Sequence, residues 1–242
     1  MDKSSVLEIV NQIYQAVFDR DNFDDLGMLY KKYAKNIRLP HLVKDSISGD
    51  ETWTTASHGN NFITNQNVSE IDNDSGWMKP NQRINEMVDL LDLWREINCI
   101  TTERVYDSIN VSRSDTIYAC ENVYQSTDCR GCNNIIYTSS CGDCEYLLGC
   151  ERSGNCNFCI NVSDSGNCSN SYRVVCSNKI LNSMFIQDCF DLYECMFCAH
   201  ITSRRYCIAN MELEQADYYR VKELVLNWIF TGSFEGLLGD YS

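Results

Sequence analysis

The spacing of hydrophobic and polar residues along the chain changes near residue 99. From Cys99 to Cys207 small residues occupy every third position, and all cysteines except Cys176 fall on that repeat. Of these 37 positions, 14 are Cys, 12 are Val, Ile or Leu, 10 are Ser or Thr, and one is Arg204. An α-helix repeats at about 3.6 residues and a flat strand at about 2. A repeat of three predicts instead a tight β-solenoid, which turns a corner every three residues and points one side chain inward per side.

A second spacing, of twelve residues, predicts the length of one coil. Eight apolar residues, which we call the apolar stripe, are spaced by twelve: Tyr124, Ile136, Leu148, Ile160, Tyr172, Met184, Met196 and Ile208. Glycine, Asn and Asp accept the left-handed backbone of a sharp corner, and they stand just before many inward positions, as at Asp128, Gly131 and Asn134. The span 99–210 then holds about nine coils of about twelve residues.

The flanking segments predict helices. Residues 1–98 form a helical amino-terminal region with a long irregular segment at 36–79, and residues 211–242 form a carboxy-terminal capping helix and tail. The first helix has Ser5 and Glu8 at capping-box spacing, and a short second helix is expected over 23–34. A third helix, after Pro80, carries one apolar face and is expected to cap the first coil. The terminal helix is expected to cover the unpaired strand edges at the other end.

The apolar stripe lies on the outside of the predicted coils and must be covered. Two arrangements provide cover: the chain's own helices, or another protein subunit. We therefore expect a protein partner or self-association through the stripe or the helical ends.

The carboxy-terminal half contains recognisable phrases. They are Cys195-Met-Phe-Cys198, then Arg204-Arg205-Tyr206-Cys207-Ile208-Ala209-Asn210, then a Tyr218-Tyr219 pair that opens a helix. From about Cys120 to Ile229 the chain resembles uncharacterised cysteine-rich β-solenoid repeat proteins of candidate-phylum bacteria and large bacteriophages. Bacterial members begin with a zinc-ribbon-like segment that this chain lacks, so the resemblance implies the architecture and no metal role.

Charge and composition exclude several partners. With 34 Asp and Glu against 20 Lys and Arg, the net charge of -14 repels phosphate, so no nucleic acid is expected. The longest apolar runs are far too short to cross a membrane. No secretory signal is evident at the amino terminus, and 15 cysteines cannot all pair within one chain. We expect a cytoplasmic protein, or one incorporated into a virion, with mostly free thiols.

The Cys-x-x-Cys pairs allow two interpretations. The pairs 129/132, 141/144, 156/159 and 195/198 match a zinc pattern, yet a lumen of period three predicts the same spacing. Disulfides across the lumen stay open as well. His200, flanked by Ala199 and Ile201, is expected at the surface or cap rather than as a base, His41 and His58 have no accompanying nucleophile, and no two carboxylates have spacing for acid–base work. We expect no catalytic residue, no metal site and no cofactor.

These patterns predict a mainly β, non-enzymatic structural or interaction protein. It would be a rigid β-solenoid platform within a larger assembly, and the resemblance implies a bacteriophage virion or assembly component. The alternative is a cytosolic zinc-binding, iron-binding or redox protein that uses the Cys-x-x-Cys pairs.

Overall fold

The computed structural model describes residues 1–59, 61–71, 76–142, 144–151, 153–154, 160–163, 172–175 and 178–231. The structure is mainly β, with a β-solenoid of about six turns and helices on both sides of it in sequence, as predicted. Four of the cysteines considered above lie outside the described residues: Cys156, Cys159, Cys168 and Cys176.

The amino-terminal region combines helices with short strands. Its elements are α1 Lys3–Phe18, α2 Leu26–Leu29, a π-helical turn Tyr30–Ala34, β1 His41–Lys44, β2 Glu51–Thr54, β3 Phe62–Thr64, α3 Asn65–Glu70 and α4 Met87–Ile97. The solenoid follows, and its strands are β4 Ile100–Thr102, β5 Val105–Tyr106, β6 Ile109–Ser112, β7 Asp115–Tyr118, β8 Glu121–Tyr124, β9 Thr127–Arg130, β10 Asn133–Ile136, β11 Ser139–Gly142, β12 Glu145–Glu151, β13 Ser153–Gly154, β14 Ile160–Ser163, β15 Tyr172–Val175, β16 Asn178–Leu181, β17 Met184–Gln187, β18 Phe190–Tyr193, β19 Met196–Ala199, β20 Thr202–Arg205, β21 Cys207–Ile208 and β22 Met211–Glu212. The last described element is α5 Gln215–Thr231.

The solenoid strands form long parallel sheets. The largest has the order β22-β21-β19-β17-β15-β14-β12-β10-β8-β6, and two others have the orders β13-β11-β9-β7-β5 and β16-β18-β20. Parallel partners are twelve residues apart in sequence, as when Ile136 lies between Tyr124 and Leu148. At the carboxy-terminal end β22 turns back and pairs antiparallel with β21.

The corners of the solenoid have the predicted backbone conformation. Left-handed φ angles recur at every third residue over long stretches of 107–140 and 179–209, each just before an inward position. Asp128, Gly131 and Asn134 have φ of 52°, 67° and 58°. Bulkier residues also adopt this conformation, including Thr116 and Phe197. The prediction that corners precede inward residues is therefore confirmed for these stretches.

The interior of the solenoid is a buried cluster of the small residues predicted from the period of three. Its members are Ile117, Cys120, Val123, Cys129, Cys132, Ile135, Cys141, Cys144, Ile180, Ile186, Cys189, Leu192, Cys195, Cys198 and Cys207. Hydroxyls share this lumen: Ser126 Oγ donates to the carbonyl of Tyr124 and accepts from the N–H of Thr138. Thiols make the first of these bonds too, as Cys129 Sγ does to Thr127 O at 3.2 Å. Because both side chains make this hydrogen bond, Cys and Ser can occupy equivalent inward positions.

The first helix starts earlier than predicted. It begins at Lys3, and the side chain of Asp2 rather than Ser5 is its N-cap, accepting the N–H of Ser5 at 2.9 Å. Aspartate is as good an N-cap as serine and precedes it in the chain. The buried face of α1 contains Val10, Ile13 and Phe18.

The segment 36–79 is less irregular than predicted. Strands β1 and β2 pair antiparallel, and β3 pairs parallel with β4 of the solenoid. The buried carboxylate of Asp45 organises this unit, accepting the N–H of Ile47, Ser48 and Thr64. Burial opposes the charged form, but these hydrogen bonds outweigh it and lower the pKa of Asp45 to about 2. Polar residues of this segment, such as Asp45, therefore form the hydrogen bonds of its turns instead of indicating an irregular loop.

The element that continues the first strand of the solenoid is β3, not the helix after Pro80. Thr102 of β4 is buried and its hydroxyl lies 2.7 Å from that of Thr52 in β2, which joins the hairpin to the same layer. Helix α4 instead stands largely exposed, with no fully buried side chain. The expectation that this helix caps the first coil is therefore wrong, because β3 pairs with β4 there while the side chains of α4 stay in solvent.

Candidate interaction surfaces

The apolar stripe is the first candidate, and the structure places it inside the molecule. All eight stripe residues are buried, none more than 9% exposed. They belong to one core cluster together with residues of α1, the π-helical turn and α5. Tyr172 illustrates the packing, with ring centroids 5.2 Å from Phe18 and 6.1 Å from Tyr33. The chain's own helices thus cover the stripe, so its eight residues are not exposed for a partner to bind.

The π-helical turn lies directly on the solenoid. Asn161 Nδ2 donates to Tyr33 O at 2.9 Å, and Tyr137 Oη donates to Leu26 O at 3.0 Å. Gly149, with φ +79°, makes this approach possible, because a Cβ at that position would stand 2.7 Å from the carbonyl oxygen of Tyr33. The helical layer is therefore fixed to the solenoid by backbone contacts as well as by apolar packing.

Helix α5 is attached to the solenoid through a buried carboxylate. Glu194 is 5% exposed, and Tyr219 Oη donates to it with distances of 2.7 and 2.9 Å to its two oxygens. This hydrogen bond raises the pKa of Tyr219 to about 12. The neighbouring Tyr218 is fully buried, and its hydroxyl has no hydrogen-bond partner in the described part of the chain. Helix α5 covers the side of the rod, while β22 covers part of its end.

Helix α4, in contrast to α1, exposes its apolar side chains to solvent. We define the α4 face as Met87, Leu90, Leu91, Trp94 and Ile97, whose side chains are between 37 and 66% exposed. The apolar spacing of α4 resembles that of α1, whose buried face is at most 8% exposed. The helix is anchored at its carboxy-terminal end, where the Asn61 side chain donates to the carbonyl of Arg95 and Lys79 pairs with Glu96 at 2.8 Å. The α4 face is thus an apolar surface exposed to solvent.

The thiols of the lumen form another candidate site. Ten cysteines of the described structure are thiols outside disulfides, and nine of them are buried, Cys99 being the exception. Burial raises the pKa of Cys129 and Cys189. In Cys120 a hydrogen bond to Cys132 and burial both raise the pKa, so this thiol contact joins residues twelve apart rather than a Cys-x-x-Cys pair. These are the properties of core thiols and not of nucleophiles.

The pair Cys195 and Cys198 differs from the others. A hydrogen bond between the two thiols raises the pKa of Cys195 and lowers that of Cys198. Both side chains are buried, with Cys198 only 1% exposed. Among the described residues, no group of three or more His, Cys, Asp or Glu side chains is arranged to hold a metal ion. Cys156 and Cys159, the remaining predicted pair, lie outside the described residues.

The histidine nearest the coils is on the surface. His200 lies at a corner, with φ 57°, and its Nδ1 is 3.8 Å from Asp188 Oδ2. Both side chains are well exposed.

The sequence analysis located the apolar residues of α4 but placed them against the solenoid. The available signal was the acidic character of the helix, in which Asp89, Asp92 and Glu96 stand between the apolar positions. Comparisons with models of known families, with curated proteins and with solved structures find no match for this chain. None of the helices within the described ranges is long and apolar enough to cross a bilayer.

Proposed function

We propose that this protein is a non-enzymatic structural platform, which holds an exposed helix on a rigid β-solenoid. One observation carries the proposal: the α4 face is exposed to solvent beside a rod whose interior is filled by its own side chains. A filled lumen makes the rod stiff, because interior positions are packed and hydrogen-bonded. A stiff rod that displays an apolar helix is suited to hold subunits at a fixed distance.

We also propose that coils of twelve residues continue through the whole span 99–210. The twelve-residue offset between parallel partners supports this coil length. About nine coils at ~4.8 Å each would make a rod roughly 40 Å long. The resemblance of the carboxy-terminal half supports a place in a virion or in an assembly intermediate, in the cytoplasm of the infected cell.

The alternative function is zinc, iron or redox chemistry at the Cys-x-x-Cys pairs. The feature that favours it is the lowered pKa of Cys198, since a thiolate is the form that binds metal or attacks a disulfide. Its near-complete burial opposes access by a redox partner.

Metal and thiol analysis of one preparation separates these functions. The full chain is purified without chelator, its zinc and iron are measured, and its thiols are titrated with a disulfide reagent before and after denaturation. For a platform we expect metal well below one equivalent, slow native labelling apart from Cys99, and all 15 thiols after denaturation. Stoichiometric metal that is lost in a Cys195→Ser/Cys198→Ser variant, but kept in Cys120→Ser, would establish the alternative and overturn the platform.

A further inference from the structure

The exposed face of α4 lacks the cover that a helix of its size needs. Isolated helices shorter than about 12 residues are marginal in water, and most gain their stability from packing an apolar face. Helix α4 has 11 residues and is hydrogen-bonded at both ends, where Asp89 Oδ2 accepts the N–H of Asn85 and Glu86 and the N–H of Asn98 donates to the carbonyl of Trp94, but none of its side chains is fully buried. Within the described ranges, the α4 face therefore has no packing partner that would stabilise the helix.

The apolar positions of the α4 face are symmetric about the middle of the helix. Its midpoint lies between Leu90 and Leu91, and Met87 and Trp94 are equally distant from that point. At 3.6 residues per turn these four side chains share one side of the helix. An antiparallel second α4 would therefore set Met87 opposite Trp94 twice and Leu90 beside Leu91 at the centre. Antiparallel helices also place opposite ends of their dipoles together.

The charges of α4 do not oppose a second copy. Asp89, Asp92 and Glu96 fall on the side of the helix away from the α4 face. Each already has a partner within its own chain: Asp89 accepts backbone N–H groups, Asp92 pairs with Arg95, and Glu96 pairs with Lys79. The net charge of -14 repels another copy only at long range, where salt screens it.

The exposed area is sufficient for a weak dimer. The α4 face together with the exposed Ile84 offers six apolar side chains. At about half exposure they present on the order of 500 Å² per copy, so two copies would bury ~1,000 Å², about the least that a specific interface needs.

We infer that α4 is the contact of a homodimer, in which two copies of the chain pack their α4 faces antiparallel about a twofold axis. This inference rests on the proposed platform function and names its partner as the chain itself. Interfaces of this size are typical of weak, transient contacts, so we expect a dissociation constant in the micromolar range, on the order of 10 µM. A twofold contact of this kind is closed, so it joins two rods and goes no further.

Sedimentation of the full chain tests the dimer. Over a range from about 1 to 200 µM the mass should rise from 27.8 kDa towards twice that value. The double variant Met87→Gln/Leu91→Gln should remain a monomer, with at least a tenfold weaker association. The control Asp92→Gln/Arg95→Gln, on the charged sides of the same helix and with unchanged net charge, should dimerise like the unmodified chain. All four residues are solvent-exposed, and equal melting temperatures at 1 µM would verify folding.

A photocrosslinking amino acid at position 94 tests the orientation. It should capture residues 84–90 of a second copy, as an antiparallel contact requires. Capture of residues 91–98 of a second copy, or of residues 232–242 of the same chain, would overturn the inference. So would a monomer at every concentration, a dimer that the Met87→Gln/Leu91→Gln variant retains, or binding of the monomer to phosphatidylglycerol vesicles through this face. None of these outcomes affects the metal and thiol test of the platform itself.

Discussion

At the scale of single residues, the solenoid depends on a backbone that most side chains avoid. The left-handed conformation costs a residue with a Cβ roughly 1–2 kcal/mol, and only Gly, Asn and Asp adopt it readily. The corners nevertheless include Tyr137, Phe185 and Phe197. Their rings compensate by packing: Phe185 and Phe197 stack with centroids 4.4 Å apart, and Tyr137 contacts Tyr124 at 5.8 Å. Corner residues are thus of two kinds: Gly, Asn and Asp adopt the left-handed backbone with little strain, whereas aromatic residues offset the strain with ring contacts.

Two corner glycines separate backbone strain from contact with the helical layer. Both have left-handed φ, +67° at Gly131 and +79° at Gly149, but only Gly149 faces another backbone, that of Tyr33. We expect Gly131→Ala to lower the free energy of unfolding by about 1 kcal/mol, through strain alone. Gly149→Ala should lower it by roughly 3 kcal/mol, because the added methyl group also pushes the π-helical turn away from the solenoid. Urea denaturation measures both, and equal losses would show that the turn does not rest on this corner.

At the scale of elements, the lumen could be predicted from sequence and the helical layer only in part. The lumen follows from one local rule, since a coil that narrow excludes aromatic and acidic side chains at every third residue. The pairing of β3 with β4 and the exposure of α4 depend on contacts between distant segments, such as Thr52 with Thr102, whereas the start of α1 depends on a local N-cap at Asp2. Local spacing reports which residues of α4 are apolar, but it does not report what covers them.

Two adjacent tyrosines of α5 test how this helix is held. Tyr219 donates to the buried carboxylate of Glu194, whereas the buried hydroxyl of Tyr218 has no partner among the described residues. Removing a donor from a buried carboxylate costs about 1–3 kcal/mol, while removing an unsatisfied hydroxyl is neutral or favourable. We therefore expect Tyr219→Phe to lower the free energy of unfolding by about 2 kcal/mol and Tyr218→Phe to leave it unchanged or raise it slightly. Thermal and urea denaturation of the two variants gives the comparison, and the reverse order would mean that Glu194 does not anchor α5.

At the scale of the whole molecule, a solenoid must stop other chains from continuing its sheets. At the amino-terminal end β3 pairs with β4, while β5 and β6 are the outermost strands of their described sheets, and at the other end β22 pairs with β21. Strand β20 is likewise the outermost strand of its described sheet, and all four of its residues are exposed. Arg204, the only charged residue at an inward position, belongs to this strand. Its Nη1 lies 3.2 Å from the carbonyl oxygen of Ser203, so a charge stands where the next coil would stack.

This arrangement predicts that Arg204 prevents association of rods end to end. Replacing it with Val restores the small apolar residue typical of inward positions and leaves the edge of β20 open to another chain. The matched control is Arg205→Val, which loses the same charge from a guanidinium that instead lies 4.4 Å from the ring centroid of Tyr193. Both variants are made with Met87→Gln/Leu91→Gln, so that contact through α4 does not contribute. Light scattering at 100 µM should show growing oligomers for Arg204→Val and monomers for Arg205→Val, because only the first change removes a charge from the open edge of the sheet.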